Sequence, residues 1–238
     1  MLSPEPSSTT VPTPGPASPG PASAARAARA TDAAIAAGSV GALFLAETAR
    51  GFHALQNLAE DAVAQVADAD LWHVTDAEAN SIGVLMRHVA GNLRSRFTGF
   101  PHADGEKPDR DRDDEFVAHP ELSRQALEDE WRAGWACLHA ALAALGPDDL
   151  LAPTAIRGER TTVLQALERA TRHVAQHAGQ IVLLARQRRG AAWRTLSIPR
   201  GASRAYDAAH RERVAREAQR GRRPGSNGAP HAGQDGSA

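Results

Sequence analysis

Two histidines four residues apart, His173 and His177, have the spacing in this 238-residue chain that most directly suggests chemistry. Residues at i and i+4 lie on one face of an α-helix, about 6 Å apart along its axis, so both imidazoles can hold one metal ion. The zincin motif places a Glu directly after its first His, but Val174 occupies that position here, which excludes a metalloprotease of that kind. Two histidines are too few for a tight site, so a metal site needs a further ligand.

A third candidate ligand, His88, comes from a separate amphipathic segment. It lies beside the apolar line through Leu85 and Val89 and could point across a bundle toward the two-histidine helix. Asn92 and Gln180 follow one turn further along the same stripes, where they could orient ligands or touch substrate. By spacing alone a second interpretation stays open, because such a pair in an Arg- and Ala-rich helix is more often solvated or satisfied within a core.

Four amphipathic helices are predicted to carry these side chains, since apolar residues recur at intervals of three and four along four segments. The second follows Ser81, a suitable N-cap, and the fourth opens with Thr162 and Gln165 in the spacing of a capping box. Trp131 and Trp135 fall on the apolar stripe of the third helix and are expected in the core. No strand is predicted. We therefore expect an all-α four-helix bundle with helices near residues 44–68, 82–100, 120–145 and 162–190.

The composition divides the chain into three parts. Residues 1–30 are expected to form a disordered Pro-, Ser- and Ala-rich arm, because seven of the fifteen prolines lie within the first 24 residues. Residues 31–205 should hold the bundle and an ordered C-terminal segment. Residues 206–238 should form a charged helical extension followed by a disordered tail.

Charge and cysteine content restrict the function classes. The 27 basic and 28 acidic residues give a net charge of −1, which argues against a nucleic-acid-binding protein. The basic run from Arg211 to Arg223 is interleaved with glutamates and is expected to be a solvated helix. The single cysteine, Cys137, cannot form an internal disulfide, so a reducing cytoplasm is the expected compartment. The longest uncharged apolar stretch, Ala33 to Ala46, is shorter than the roughly 20 residues of a membrane span, so no membrane partner is expected.

Several separated motifs, taken together in their order, resemble a family of unknown function within the DinB superfamily. They are NSIGVLMRHVAGNLRSRFTGF from Asn80, DGEKPDRDRDDEF from Asp104, RHVAQHAGQIV from Arg172 and WRTLSIPRGAS from Trp193. The resemblance covers about residues 44–203. It implies a DinB-like four-helix bundle in which His88, His173 and His177 hold a divalent ion such as Zn, Ni, Fe or Mn.

Characterised members of that superfamily include metal-dependent thiol S-transferases and a thiol-dependent isomerase. The resemblance therefore implies a metal-dependent enzyme, either a thiol-dependent S-transferase or a hydrolase, with a low-molecular-weight thiol and a small molecule as partners. Three neutral imidazoles leave open positions at which an ion can lower the pKa of water or a thiol. The alternative is a non-catalytic metal-binding or stress-response protein of the same fold. Assembly as a homodimer is a further hypothesis.

Two segments outside the helices, the loop from Asp104 to Phe116 and the segment around Arg200, could close over the metal end of the bundle. Arg110, Arg112 or Arg200 could then bind a substrate carboxylate or phosphate in bidentate fashion. In the competing interpretation, acidic loop residues pair with neighbouring arginines and merely fix the loop. Those acidic residues are Asp104, Glu106, Asp113 and Glu115.

Overall fold

Helices dominate the computed structural model, which describes residues 21–221. The described chain divides into one unit that ends at Leu196 and another that begins at Ser197. The second unit contains α7, Ser203–Gly221. The helices of the first unit are α1 Pro21–Ala36, α2 Val40–Val63, α3 Asp68–Leu71, α4 Ile82–Phe97, α5 Arg124–Ala144 and α6 Val163–Arg189.

The four long helices α2, α4, α5 and α6 form the bundle. Helix α4 packs against α5 and α6, and α2 packs against α6 and α5. Trp131 and Trp135 are 3% and 1% exposed, which confirms their predicted place in the core. The all-α prediction is confirmed as well. The other large side chains at the centre of the core include Phe52, Ile82, Leu85, Leu93, Leu127, Leu138, Leu167 and Ile181.

Side-chain caps begin the helices that carry the candidate ligands. The Ser81 hydroxyl accepts from the Val84 backbone N–H at the start of α4. At the start of α6, the Thr162 hydroxyl accepts from the Gln165 N–H, and Gln165 Oε1 accepts from the Thr162 N–H. This reciprocal pair confirms the predicted capping box. The predicted start of the third helix at Pro120 is four residues early, because the Ser123 hydroxyl caps α5.

A two-stranded antiparallel hairpin connects α5 to α6, and the prediction that the chain has no strand is wrong. Strand β1 is Pro153–Ile156 and strand β2 is Glu159–Thr162. Arg157 and Gly158, between the strands, have φ values of 57° and 76°, as in a type I′ turn. The Asp104 carboxylate accepts from the N–H groups of both turn residues, at 2.8 and 2.7 Å. Strands of four residues are too short to show a clear period in the sequence.

At the N-terminal end of the described chain, the structure differs from the predicted disordered arm. Residues 21–30, predicted as part of the disordered arm, belong to α1, because their Ala-rich sequence has high helix propensity. The predicted disorder of residues 1–20 and 222–238 lies outside the described residues. Helix α7 is exposed along its described side chains, and i,i+4 ion pairs such as Arg213–Glu217 match the predicted solvated extension. Within residues 21–221, no helix has the length and apolarity needed to cross a membrane.

A partly buried polar network joins α5 to α2. His139 Nε2 donates to Gln56 Oε1 at 2.8 Å, and Gln56 Nε2 donates to Glu60 Oε1 at 2.8 Å. Trp131 Nε1 donates to the same Glu60 oxygen at 2.9 Å. The rings of His139 and His53 stack with their centroids 4.1 Å apart. Burial, reinforced by the nearby His53, lowers the pKa of His139 to about 4.

We expect the fold to lose stability as the pH falls from about 6.5 to 5, because the pKa of His139 is about 4 in the folded chain and near 6.5 in the unfolded chain. Over this range the unfolded chain binds a proton that the folded chain does not, which favours unfolding by about 1–2 kcal/mol. Denaturant unfolding with chelator present, near pH 7.5 and near pH 5, measures the loss. Between these two pH values the free energy of unfolding of His139→Gln should fall by about 1–2 kcal/mol less than that of the wild type. His73→Gln, which changes an exposed histidine, should behave like the wild type. Equal losses in the wild type and His139→Gln would contradict the assignment.

Candidate metal centre

Three imidazole rings converge between α4 and α6. His88 lies on α4 and is 3% exposed, while His173 and His177 lie one turn apart on α6. His173 Nε2 is 3.1 Å from His88 Nε2 and 3.2 Å from His177 Nε2. One ligand nitrogen from each ring lies within 4.8 Å of the other two. The structure thus brings together the three histidines that the sequence singles out.

The spacing and protonation of these nitrogens suit a shared divalent cation. Two nitrogens bound tetrahedrally to one zinc ion are about 3.3 Å apart, close to the spacing in the cluster. The Nδ1 atoms of His88 and His177 face acceptor oxygens, so the neutral form of each ring would carry its proton on Nδ1 and direct an Nε2 lone pair into the cluster. With both rings in that form, only His173 could supply a proton between the three Nε2 atoms. A cation at this point would therefore satisfy lone pairs that otherwise face one another.

A buried carboxylate fixes the orientation of His88. His88 Nδ1 donates to Glu115 Oε2 at 2.9 Å. Arg110 holds the same carboxylate with two hydrogen bonds of 2.8 Å, from Nε to Oε1 and from Nη2 to Oε2. Burial alone would raise the pKa of Glu115, but the bonds from Arg110 and His88 outweigh it and lower that pKa, so Glu115 is ionised. A carboxylate behind a histidine ligand sets the tautomer of the ring and raises its basicity.

Gly91 allows this carboxylate to lie against α4. A Cβ atom at position 91 would overlap Oε1 and Cδ of Glu115, so a larger residue would push the carboxylate away from His88. The same helix also holds the loop, since Arg87 Nη2 donates to Asp114 Oδ2 at 2.7 Å and Nη1 donates to the Asp114 carbonyl at 3.0 Å. Helix α4 therefore supplies both a candidate ligand and the contacts that position its carboxylate partner.

The two histidines on α6 are kept neutral by their surroundings. Burial lowers the pKa of His173 to about 3, and the nearby His177, His88 and two arginines add to this effect. Burial also lowers the pKa of His177, although the hydrogen bond from its Nδ1 to Gln180 Oε1, at 2.7 Å, opposes the shift. Gln180 thus contacts the ring of a candidate ligand, and its predicted role in orienting that ligand stays a prediction. Neutral rings can bind a metal ion without first losing a proton.

A cavity of about 170 Å³ adjoins the histidine cluster. His88, His173 and Asn92 are among its polar lining residues, and Phe97 and Ile156 are among its apolar ones. Asn92 therefore lies where a molecule next to the cluster would meet it.

The arginines that the sequence predicts as substrate ligands occupy different settings. Arg110 lines the cavity, but its side chain is only 3% exposed and is engaged by Glu115, so its present role is to position the His88 carboxylate. Arg112 also lines the cavity and is exposed, with its guanidinium 5.3 Å from the centre of the Phe116 ring. Arg200 is exposed in the second unit, and its predicted contact with substrate stays a prediction.

Two residues at the site were not predicted to act there. The sequence indicates Glu115 only as a residue that fixes the loop, and in the structure that interpretation holds together with contact to His88. Arg96 lines the cavity, yet its spacing in α4 gives no sign of this. Its Nη2 lies 3.3 Å from Glu106, which also pairs with Arg157 at 2.9 Å. Both residues depend on how the loop folds back on α4, which no local pattern reveals.

Replacing Glu115 with Gln should weaken metal binding by about 10- to 100-fold, because the amide is a weaker acceptor for the His88 Nδ1 proton and removes the carboxylate to which Arg110 donates two hydrogen bonds. Competition with a chromophoric chelator measures the affinity for Zn²⁺. Asp113→Asn is the matched control, since Asp113 lies on the same loop and is exposed. An unchanged affinity in Glu115→Gln would show that the carboxylate does not support the site.

Comparison with known proteins gives one result that bears on identity. No curated protein and no solved structure showed significant similarity to the chain. Residues 39–202 match a family described as a protein of unknown function (DUF1572), and this range includes the whole bundle and all three histidines. Because the match extends over more than half of the 238 residues, the chain belongs to the DUF1572 family.

Proposed function

We propose that this protein is a divalent-metal-dependent enzyme of the DinB superfamily, acting as a thiol-dependent S-transferase or as a hydrolase. The observation that carries the proposal is the convergence of three Nε2 atoms beside a cavity that His88 and His173 line. The bundle, with one histidine on its second long helix and two on its fourth, agrees with the arrangement that the resemblance implies.

A divalent ion held by three neutral imidazoles would keep open positions at which a bound thiol or water loses its proton near neutral pH. Two residues of the chain orient the histidine rings that would hold the ion. Glu115 and Gln180 keep the protons of His88 and His177 on Nδ1, so the Nε2 lone pairs stay directed at the centre. Asn92 lines the cavity and is proposed to orient the substrate. Phe97 and Ile156 give the cavity an apolar surface that an apolar part of a substrate could contact.

The cavity favours an enzyme over a non-catalytic metal-binding protein. A structural metal site is closed by its ligands and by packed side chains, whereas a catalytic site keeps a position open for substrate. Here His88 and His173 border a cavity instead of being sealed by apolar residues. A metal-binding or stress-response protein remains the alternative outcome of the test below.

Elemental analysis of the purified protein, followed by activity assays with and without chelator, tests the proposal. We expect close to one divalent ion per chain. Conjugation of glutathione or cysteine to an aryl halide, or hydrolysis of an aryl ester, should be lost with chelator and restored by the metal found. Conjugation without ester hydrolysis would identify the transferase. A bound ion with neither reaction would favour the non-catalytic alternative, and absence of any bound ion would refute the metal site.

A further inference from the structure

The cavity beside the histidine cluster has a strongly positive lining. Five arginines contribute to it, and among the described residues that line it there is no carboxylate. These arginines are Arg96, Arg110, Arg112, Arg157 and Arg169. Like charges that share a small space repel one another, so such a group needs compensation from anions.

The protein's own carboxylates compensate only part of this charge. Glu115 neutralises Arg110 through two hydrogen bonds. Glu106 is shared between Arg157, at 2.9 Å, Arg96, at 3.3 Å, and Arg110, at 3.5 Å. The ion pairs made by the five arginines thus involve two carboxylates, and Arg169 has no ion pair within residues 21–221. The lining therefore keeps a surplus of positive charge.

Arg96 is the most buried of the arginines whose positive charge is not fully balanced by a carboxylate. Its residue is 9% exposed, and among the described residues Nη1 has no hydrogen-bond partner. Burial lowers the pKa of Arg96, and the charges of Arg110, Arg157 and Arg169 lower it further against the effect of Glu106. The loop fixes this side chain in place, because Ser95 donates to the Gly105 carbonyl at 3.0 Å and Gly105 lies against the Arg96 guanidinium. A buried guanidinium held next to a cavity is a typical anion-binding group.

The apolar residues that line the cavity indicate what kind of group a bound anion would carry. Phe97, Phe100 and Ile156 provide an apolar surface beside the arginines. A cavity of about 170 Å³ accommodates roughly six to eight non-hydrogen atoms, about the size of a benzene ring with one substituent. A small organic molecule with one anionic group and an apolar part would match both surfaces.

We propose that this cavity binds a small organic anion, a carboxylate or phosphate carried by an apolar group, and holds it next to the three histidines. Arg96 and Arg169 are its anion-binding residues. The inference rests on the proposed function, because it names the substrate class of the same site. It differs from the sequence-based hypothesis in assigning the anion to Arg96 and Arg169 in place of Arg110, Arg112 or Arg200.

Isothermal titration of the purified protein with butyrate, propyl phosphate and the neutral butyramide tests the proposal, because each probe has about six to eight non-hydrogen atoms and so matches the cavity. At least one anion should bind about tenfold more tightly than the amide, because a charge-assisted hydrogen bond to Arg96 or Arg169 is available only to the anion. The tighter of the two anions identifies the group as carboxylate or phosphate. Anions that bind no more tightly than the amide would overturn the proposal.

Variants separate the arginines from the metal. Arg96→Gln and Arg169→Gln should each weaken anion binding by about tenfold while metal content stays the same. Arg169 is exposed, so its replacement tests the proposal even if Arg96→Gln does not fold. The matched control is Arg94→Gln, at an exposed position on the same helix as Arg96, which should bind like the wild type.

The same titration after chelator treatment distinguishes this proposal from the proposed function. Retained anion binding by the metal-free protein, together with sensitivity to the two arginine variants, supports the arginine site even if no enzymatic activity is found. Anion binding that disappears with the metal and is unaffected by either variant would place the anion on the ion and overturn the inference. Metal content and turnover are measured separately and decide the proposed function.

Discussion

His177→Ala should remove most of the bound metal while leaving the fold intact. The variant deletes one of three converging nitrogens, and the two that remain, His88 Nε2 and His173 Nε2, cannot surround an ion. We expect the affinity for Zn²⁺ to fall by at least about 100-fold, beyond the loss typical of a residue that only supports a ligand. Elemental analysis after dialysis, combined with chelator competition, measures the loss.

The fold of His177→Ala should survive because the core is built from apolar side chains on four long helices and does not include the ion. Circular dichroism should show an unchanged helix content. His73→Ala is the control, since it removes an exposed histidine outside the cluster and should keep the wild-type metal content. A His177→Ala protein that still holds one ion with wild-type affinity would refute the three-histidine site.

The helices and the histidine cluster could be predicted because both follow local rules. Apolar periodicity marks the four long helices, and the capping signals at Ser81 and Thr162 mark two of their starts. An i, i+4 pair on a helix fixes the relation between His173 and His177 from spacing alone. The position of His88 beside the apolar line of α4 allows it to point across the bundle toward α6, and the resemblance groups it with the other two histidines. The assignment of these residues as metal ligands rests on the resemblance and stays a prediction.

The surroundings of the cluster could not be predicted, because they arise from contacts between distant parts of the chain. Glu115 reaches His88 only because the loop folds back against Gly91. The turn at Arg157 and Gly158 is held by Asp104, about fifty residues earlier in the chain. These contacts bring Glu115 to His88 and Arg157 to the cavity, in both cases from a segment without helical period. The sequence therefore predicted the candidate ligands better than the groups that orient them or line the cavity.

Contacts of this kind also affect how the turnover of an arginine variant is interpreted. If Arg110 bound substrate, as the sequence-based hypothesis has it, Arg110→Ala would reduce turnover and leave metal binding unaffected. In the structure Arg110 donates twice to Glu115, which in turn accepts from His88. Removing Arg110 would therefore disturb the support of a candidate ligand as well as the cavity lining. Arg96 and Arg169 are better probes of substrate binding, because neither pairs with Glu115 within the described chain.

Trp135→Ala should destabilise the fold by about 3–5 kcal/mol, the largest loss of stability we expect from a single core substitution. Trp135 is 1% exposed and makes edge-to-face contacts with Phe52 and Trp131, with ring centroids 6.3 and 5.5 Å away. It also stacks on His139 at 5.7 Å. Alanine would leave a cavity between α5 and α2 that these rings cannot fill. Denaturant unfolding in the presence of chelator measures the change without a contribution from bound metal.

Two further variants show whether the loss comes from the buried ring. Trp135→Phe should cost much less than Trp135→Ala, since it keeps an aromatic ring and removes an indole N–H that has no hydrogen-bond partner among the described residues. Arg132→Ala, at a side chain that is 56% exposed on the same helix, should change stability by no more than about 0.5 kcal/mol. A loss below about 1 kcal/mol for Trp135→Ala would mean that this face of α5 does not pack against the core, because burying a ring of this size contributes more than that.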